Sequence, residues 1–297
     1  MPAVAEVVVV GSASVDLSLG VAQLPQPGQT LLVDERGLAR RPGGKGANQA
    51  VAAARLGAST CLLGRVGDDE DGELLVTALS EAGVQVDGLG RDASPTGLAV
   101  LLVDAGGENS IVVAPGANAT LTGMHLDEHA ALLAGARVVL LSMEVPRAAL
   151  EHAAGLAHGL VVLNPAPFAP LGPGLQERVD VLVPNRGELA ALMGAPVPGT
   201  VEEAVELAGA APCDRVVVTL GADGAVVVDR GRVERVPAPR VRAVDAVGAG
   251  DTFCAALAVG LARGLDLVAA TRKAVAAGAV AVTSAGAQVP LPGFADL

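Results

Sequence analysis

The stretch VDAVGAGDTF, Val244–Phe253, sets Gly248, Ala249 and Gly250 directly before Asp251, where an apolar helical run begins. A helix start exposes free backbone N–H groups and carries a partial positive charge. Glycines there remove side-chain obstruction, so the amides can form an anion hole. Asp251 at its mouth is placed to take a proton from a hydroxyl that attacks a phosphoryl group beside those amides. The same residues also read as a glycine-rich turn capped by Asp251, with no chemistry. Other parts of the chain have to decide.

A second glycine-rich stretch is RPGGKGANQAVAAARLGA, Arg41–Ala58. Gly43, Gly44 and Gly46 allow a close backbone approach to a ligand. Lys45 and Asn48 add donors, and Asn48 falls at the beginning of a helix where its amide can meet sugar hydroxyls. No Lys-Ser or Lys-Thr pair ends the stretch, so it is not a Walker A loop. A tight turn with a solvated Lys45 is the plain alternative. Asp16 closes a third candidate, Ser12–Asp16, just beyond the first apolar run. Glu144, Asn164, Asn185 with Glu188, and Thr219–Gly224 also follow apolar runs. In an open parallel sheet, ligands sit beyond the carboxyl ends of the strands. One polar residue there means little, but this many at successive strand ends point to a site.

The elements that must position them follow from hydrophobic patterning. Val7–Val10, Val138–Leu141, Leu160–Leu163, Val181–Val183, Val216–Leu220 and Ala225–Val228 are apolar without alternation, as expected of strands covered on both faces. Val241–Val244 reads as the end of a further strand. Helical stretches are expected at Ala47–Leu56, Asp71–Ala82, Thr200–Gly209, Thr252–Ala262 and Leu267–Thr283. Gly57 and Gly83 suit C-caps, and Thr200 with Glu203 suits a capping box. Alternating strands and helices indicate an α/β doubly wound domain. Two segments break the rhythm. Asp16–Arg41 holds Pro25, Pro27, Gly28 and the β-like TLLVDE, and Thr96–Ala114 holds a hairpin signal at Ala105-Gly106-Gly107. They suit a small sheet lying over one edge of the body.

The 297 residues are 51% hydrophobic and 18% charged, a globular composition with ample material for a core. Three Phe, no Trp and no Tyr argue against stacking bases on aromatic rings. A net charge of -12 argues against nucleic acid and anionic membrane as partners. It leaves phosphate substrates open, since aimed amides and magnesium neutralise them locally. Cys61, Cys213 and Cys254 are scattered, which suits a reducing compartment. No apolar run approaches the ~20 residues of a membrane helix, and no N-terminal signal is visible, so a cytoplasmic location is expected. His125, His129, His152 and His158 read as surface residues without shared spacing. A catalytically silent sugar binder and a dinucleotide oxidoreductase are rivals from other classes. The missing G-x-G-x-x-G fingerprint speaks against the second.

GGKGANQA, GDD, PGANA, LNPAP, PNRGE, TLGADG, AVDAVGAGDTF and GAQVPLP occur in this order along nearly the whole chain. Together they resemble the ribokinase-like (PfkB-type) carbohydrate kinases. The resemblance implies a three-layer α/β core with a mostly parallel sheet, formed by 1–14, 42–93 and 114–297. It also implies a β lid formed by 15–41 and 94–113, which covers substrate and meets its copy in a homodimer. The implied reaction is ATP-dependent phosphorylation of D-ribose at O5; another sugar or a nucleoside is the alternative acceptor. Asp251 is then the base, and Gly248, Ala249 and Gly250 the anion hole. Ser14, Asp16, Gly43, Gly44, Lys45, Asn48 and Glu144 are implied to contact the sugar. Asn185, Thr219, Leu220, Gly221, Ala222, Asp223, Gly224, Gly250 and Val275 are implied to contact ATP. Glu188 is implied to hold Mg2+ indirectly. Asp245, Val247, Ala281, Ser284, Gly286 and Pro290 are implied to hold an activating monovalent cation, usually K+. Three departures from the family pattern stand out: Ser14 where Asn is frequent, Pro290 where Ser is common, and Val275 where a His can flank the adenine.

Overall fold

The computed structural model describes residues 5–33, 37–104, 106 and 109–297. In chain order the elements begin with β1 (Val7–Val10), β2 (Ser14–Gly20), β3 (Leu38–Gly43), α1 (Lys45–Arg55) and β4 (Thr60–Gly67). Next come α2 (Glu70–Glu81), β5 (Leu89–Asp92), β6 (Gly97–Val103), β7 (Asn109–Ala114), α3 (Gly123–Asp127) and α4 (Ala130–Gly135). The middle of the chain supplies β8 (Val138–Ser142), α5 (Arg147–Leu156), β9 (Leu160–Asn164), α6 (Pro173–Arg178), β10 (Val181–Leu182) and α7 (Arg186–Met193). The last third supplies α8 (Val201–Gly209), β11 (Arg215–Thr219), β12 (Ala225–Asp229), β13 (Arg232–Val236), α9 (Ala249–Ala262) and α10 (Leu267–Ala281).

Among the described residues, nine strands form one sheet in the order β13-β12-β11-β10-β9-β8-β1-β4-β5. Neighbours from β11 to β5 run parallel, while β12 and β13 are antiparallel additions at one edge. The alternation of side chains across a strand sorts the core into two layers. Val7 and Val9 of β1 join a buried cluster with α1, α2, α9 and α10. Val8 and Val10 join another with α3 to α8. Both faces are dry, which explains the unbroken apolar runs. Each fully buried Val or Leu contributes about 1.5–3 kcal/mol of transfer free energy. α9 is buried nearly all round because it lies between the sheet, α1 and α10; its Ala and Gly content lets those partners come close.

A second sheet has, among the described residues, four strands in the order β3-β2-β6-β7. β2 pairs antiparallel with β3 and parallel with β6, and β6 pairs antiparallel with β7. The hairpin signal therefore marks a real pairing, although Ala105 and Gly107 lie outside the described residues. TLLVDE forms no strand over its described residues, 30–33, and its 34–35 lie outside them.

Two further expectations are corrected. Val241–Val244 is irregular; the chain is held there by the Val244 amide donating to the Val282 carbonyl at 2.7 Å, across to the end of α10. His125 and His129 do share a spacing. Helical backbone continues past α3 through Glu128, so residues four apart meet, with ring centroids 5.3 Å apart. With Glu128 they bring three ligand-type atoms within 4.8 Å of one another. Burial and the neighbouring His125 hold His129 below the ordinary histidine pKa. Among the described residues, no helix is long and apolar enough to cross a membrane.

Candidate active site

The chain leaves β1 toward β4 and β5 on one side and later builds β8 to β11 on the other, so the sheet reverses its winding between β1 and β8. The loops beyond that reversal meet. The Ser12 hydroxyl, after β1, donates to Oε2 of Glu144, after β8. The backbone amide of Lys45, first residue of α1, donates to the same oxygen at 2.9 Å. Gly44 caps α1 with φ of 89°, and an added Cβ would lie 2.9 Å from the Ser14 amide nitrogen. This close approach of two backbones requires glycine. At Gly43 an added Cβ would overlap the Asp16 carboxylate at 2.2 Å, so glycine makes room for that acid.

Two cavities adjoin at this point. One, of about 210 Å³, is lined by Ser12, Ser14, Asp16, Gly44, Lys45, Asn48, Asn118 and Glu144. Ala99, Leu101, Ile111 and Val113 of the small sheet form its apolar wall. The other, of about 220 Å³, is lined by Asn164, Asn185, Glu188, Thr219, Ala246, Gly250 and Cys254. Lys45, Gly248 and Asp251 line both.

Asp251 sits in the first turn of α9, but not as its cap. Gly248 is the N-cap, with φ of 74°, and Asp251 is the third helical residue. The reading of Asp251 as a cap is therefore corrected: a glycine in the left-handed region starts the helix earlier. The Ala249 amide turns back to the Ala246 carbonyl at 3.3 Å, while the amides of Gly250 and Asp251 meet no backbone acceptor among the described residues. The Asp251 carboxylate instead receives Asn48 Nδ2 on Oδ2 and Gln49 Nε2 on Oδ1, each at 3.1 Å. Asn48 also accepts from Gln288 at 3.1 Å.

The charges interact strongly. Burial raises the Asp251 pKa, opposed by Lys45 and the two amides. Burial, then Glu144 and Asp251, push Asp16 up to about 6. Burial pulls Lys45 down, but Asp251, Glu144 and Glu188 outweigh it and keep the ammonium above its ordinary range. Burial, with Asp251 and Glu188, lifts Cys254 well above a reactive thiol's range, so it stays protonated and inert.

Asn185 and Glu188 form the capping box of α7, with Glu188 accepting from the Asn185 backbone at 2.9 Å and side chain at 2.8 Å. Burial raises the Glu188 pKa. Thr219 reaches the second cavity. Leu220 is buried, Gly221, Ala222 and Asp223 are exposed, and Asp223 pairs with Arg186 at 3.0 Å. Val275 is 6% exposed within the core beside α9 and lines neither cavity. Asp245 accepts from the Val247 amide at 3.0 Å and the Gly286 amide at 2.8 Å, joining the loop before α9 to the loop after α10. Ser284 and Pro290 are exposed and Ala281 is buried in that same C-terminal region.

Sequence reasoning passed over Gln49, fully buried behind Asp251, and Asn118, whose side chain exchanges hydrogen bonds of 2.9 and 2.8 Å with the Ala13 backbone. The signal for Gln49 was a polar residue inside an otherwise small apolar helix, ANQAVAAA.

Residues 4–293 match the description of the pfkB family carbohydrate kinases. The chain belongs to the pfkB family. Among pfkB-family relatives, a ribokinase of Bacillus subtilis is 36% identical over 287 residues, covering 96% of this chain and 95% of the relative. A deoxyribokinase of Salmonella typhi is 35% identical over 296 residues, covering 97% and 95%. A structure of Arabidopsis thaliana ribokinase complexed with ribose and ATP superposes with a TM-score of 0.89 at 32% identity, covering 98% of this chain and 96% of that one. The fold of this pfkB-family kinase is thus a mostly parallel α/β body with a smaller sheet at its side.

Proposed function

We propose that the chain is a ribokinase, transferring the γ-phosphoryl group of ATP to O5 of D-ribose. The observation that carries the reading is the position of Asp251 on the wall shared by two adjoining cavities. A hydroxyl from one side and a phosphoryl group from the other meet at its carboxylate. Asp251 accepts the hydroxyl proton, and the open amides beside it, with Gly248, Ala249 and Gly250, receive the migrating phosphate. Lys45, kept cationic, balances charge on the shared wall. Ser14, Asp16, Gly43, Gly44, Asn48 and Glu144 bind the sugar in the cavity walled by the small sheet. Asn185 and the Thr219–Gly224 turn bind the nucleotide; Val275, buried in the core, takes no direct part. The small sheet serves as the lid, excluding water from the transfer. The test is ADP release with D-ribose, 2-deoxyribose, ketohexoses and nucleosides. The highest kcat/KM is expected for D-ribose; a higher value for deoxyribose makes the deoxyribokinase reading the better one.

The donor set fits the implied ions. Each oxygen of Glu188 keeps lone pairs beyond its cap hydrogen bonds, so with Asn185 it can hold Mg2+ through water. Magnesium, when bound, neutralises charge on the phosphate oxygens. Asp245 likewise keeps lone pairs. With backbone oxygens of Val247, Ala281, Ser284, Gly286 and Pro290 it makes an all-oxygen set suited to a hard cation. Turnover is expected to rise when K+ replaces choline in the buffer; equal rates in K+, Na+ and choline contradict a cation site.

Hydrogen bonding from sugar hydroxyls needs Asp16 ionised. Its pKa, pushed up to about 6 where a lone Asp titrates near 3.8, sets the acid limb of kcat/KM at about pH 6 or above, since the base Asp251 is raised as well. Activity is full above that limb and falls as pH drops through it. A profile flat down to pH 4.5 contradicts this assignment.

The edge strand β7 leaves Ile111, Val112 and Val113 52%, 72% and 54% exposed, an apolar edge suited to a second copy. Light scattering is expected to report twice the chain mass; a monomer at micromolar concentration contradicts it.

A further inference from the structure

We propose that Gln49 is a positioning residue for the transfer: its carboxamide pins Oδ1 of Asp251 and turns that carboxylate's free lone pairs toward the cavities. The inference rests on the reading of Asp251 as the base. Gln49 is 0% exposed on α1 and lines neither cavity, so it can act only through its neighbours. Its Nε2 lies 3.1 Å from Asp251 Oδ1 and 3.3 Å from Asn164 Oδ1. The direction of every bond is forced. Asn164 Nδ2 lies 3.1 Å from the Val183 carbonyl, which can only accept, so Asn164 must turn its oxygen to Gln49. Gln49 then faces two acceptors and must present its NH2 group, one N–H to each. On the other side, Asn48 accepts from Gln288 and donates to Asp251 Oδ2. The carboxylate is thus gripped once on each oxygen, and each oxygen retains a lone pair.

The grip has a cost that packing does not explain. Gln49 Oε1 is buried without a partner among the described residues. An acceptor buried without a partner is destabilising. Met fills nearly the same volume without it, so what the amide adds is its two donors.

The test compares Gln49→Met and Gln49→Glu with the wild type in kcat, KM, the pH profile of kcat, and thermal melting. For Gln49→Met, kcat is expected to fall roughly 10-fold to 100-fold, with KM for ribose and ATP within about threefold. The acid limb of kcat is expected to move to higher pH, because the ionised carboxylate loses a donor. Gln49→Glu, of the same size, should move the limb further by placing a second carboxylate against the first; it also carries the test if Gln49→Met does not fold. Wild-type kcat with an unmoved limb, or a loss confined to KM, overturns the inference. Near-normal turnover in Asp251→Asn removes the base and this inference together. An inactive Asp251→Asn beside an unaffected Gln49→Met removes only the role of Gln49.

Discussion

Asp251→Asn is expected to lower kcat by roughly 10²–10⁴-fold while leaving the KM for sugar and ATP within a few-fold. The substitution keeps the shape of the side chain and removes the atom that takes the proton. It also has a structural consequence. The carboxylate accepts from both Asn48 and Gln49. An Asn in its place must turn its own NH2 toward one of those donors. That mismatch costs about 1–3 kcal/mol, partly offset because a buried charge is gone. Thermal melting therefore has to accompany the kinetics. A folded variant that binds both substrates and turns over at a near-normal rate contradicts the role of Asp251.

Gly248→Val should be nearly as damaging, by another route. Gly248 has φ of 74°, and an added Cβ would lie 2.5 Å from Ala287 Cα and 2.6 Å from Ala287 O. The left-handed conformation alone costs a side chain roughly 1–2 kcal/mol. The collision is with backbone, so a rotamer change cannot relieve it. The start of α9 must move, and its open amides move with it. Misaiming such donors is expected to cost roughly 10²–10³ in kcat, with a lower Tm. Gly250→Ala is the contrasting variant. Among the described residues, no atom beyond the backbone of its own helix lies within 4 Å of an added Cβ there, yet Gly250 lines the cavity beside Glu188 and Thr219. Its Tm should stay with the wild type while KM for ATP rises. Equal Tm and kcat for Gly248→Val and the wild type contradict the helix-start account.

Much of this was legible in the residues, and the misses have physical causes. Strands buried on both faces advertise themselves as unbroken Val and Leu runs, as β1, β8, β9 and β12 did. β4 and β5 carry Arg65, Gly64, Gly90 and Asp92 and lack that signature, so only the fold reveals them. Thr200 and Glu203 form the capping box their spacing implies. The start of α9 was misplaced because Asp resembles a cap in any sequence. Only the φ of Gly248 and the partners of Asp251 show otherwise. Glu144 and Asp16 could be suspected from their place after apolar runs, but their mutual electrostatics needs coordinates. Gln49 shows the limit most plainly: its partners Asn164 and Asp251 lie 115 and 202 residues away. No local pattern announces a contact of that range.

In the proposed reaction an acceptor hydroxyl and a nucleotide phosphate meet at Asp251. The most direct measurement is initial-rate ADP release with ATP and Mg2+, comparing D-ribose, 5-deoxy-D-ribose and no sugar. Rapid release is expected with D-ribose and only the sugar-free background with 5-deoxy-D-ribose, which fits the same cavity but lacks the accepting oxygen. Release at the background rate with D-ribose itself, or equal rates with both sugars, would contradict it.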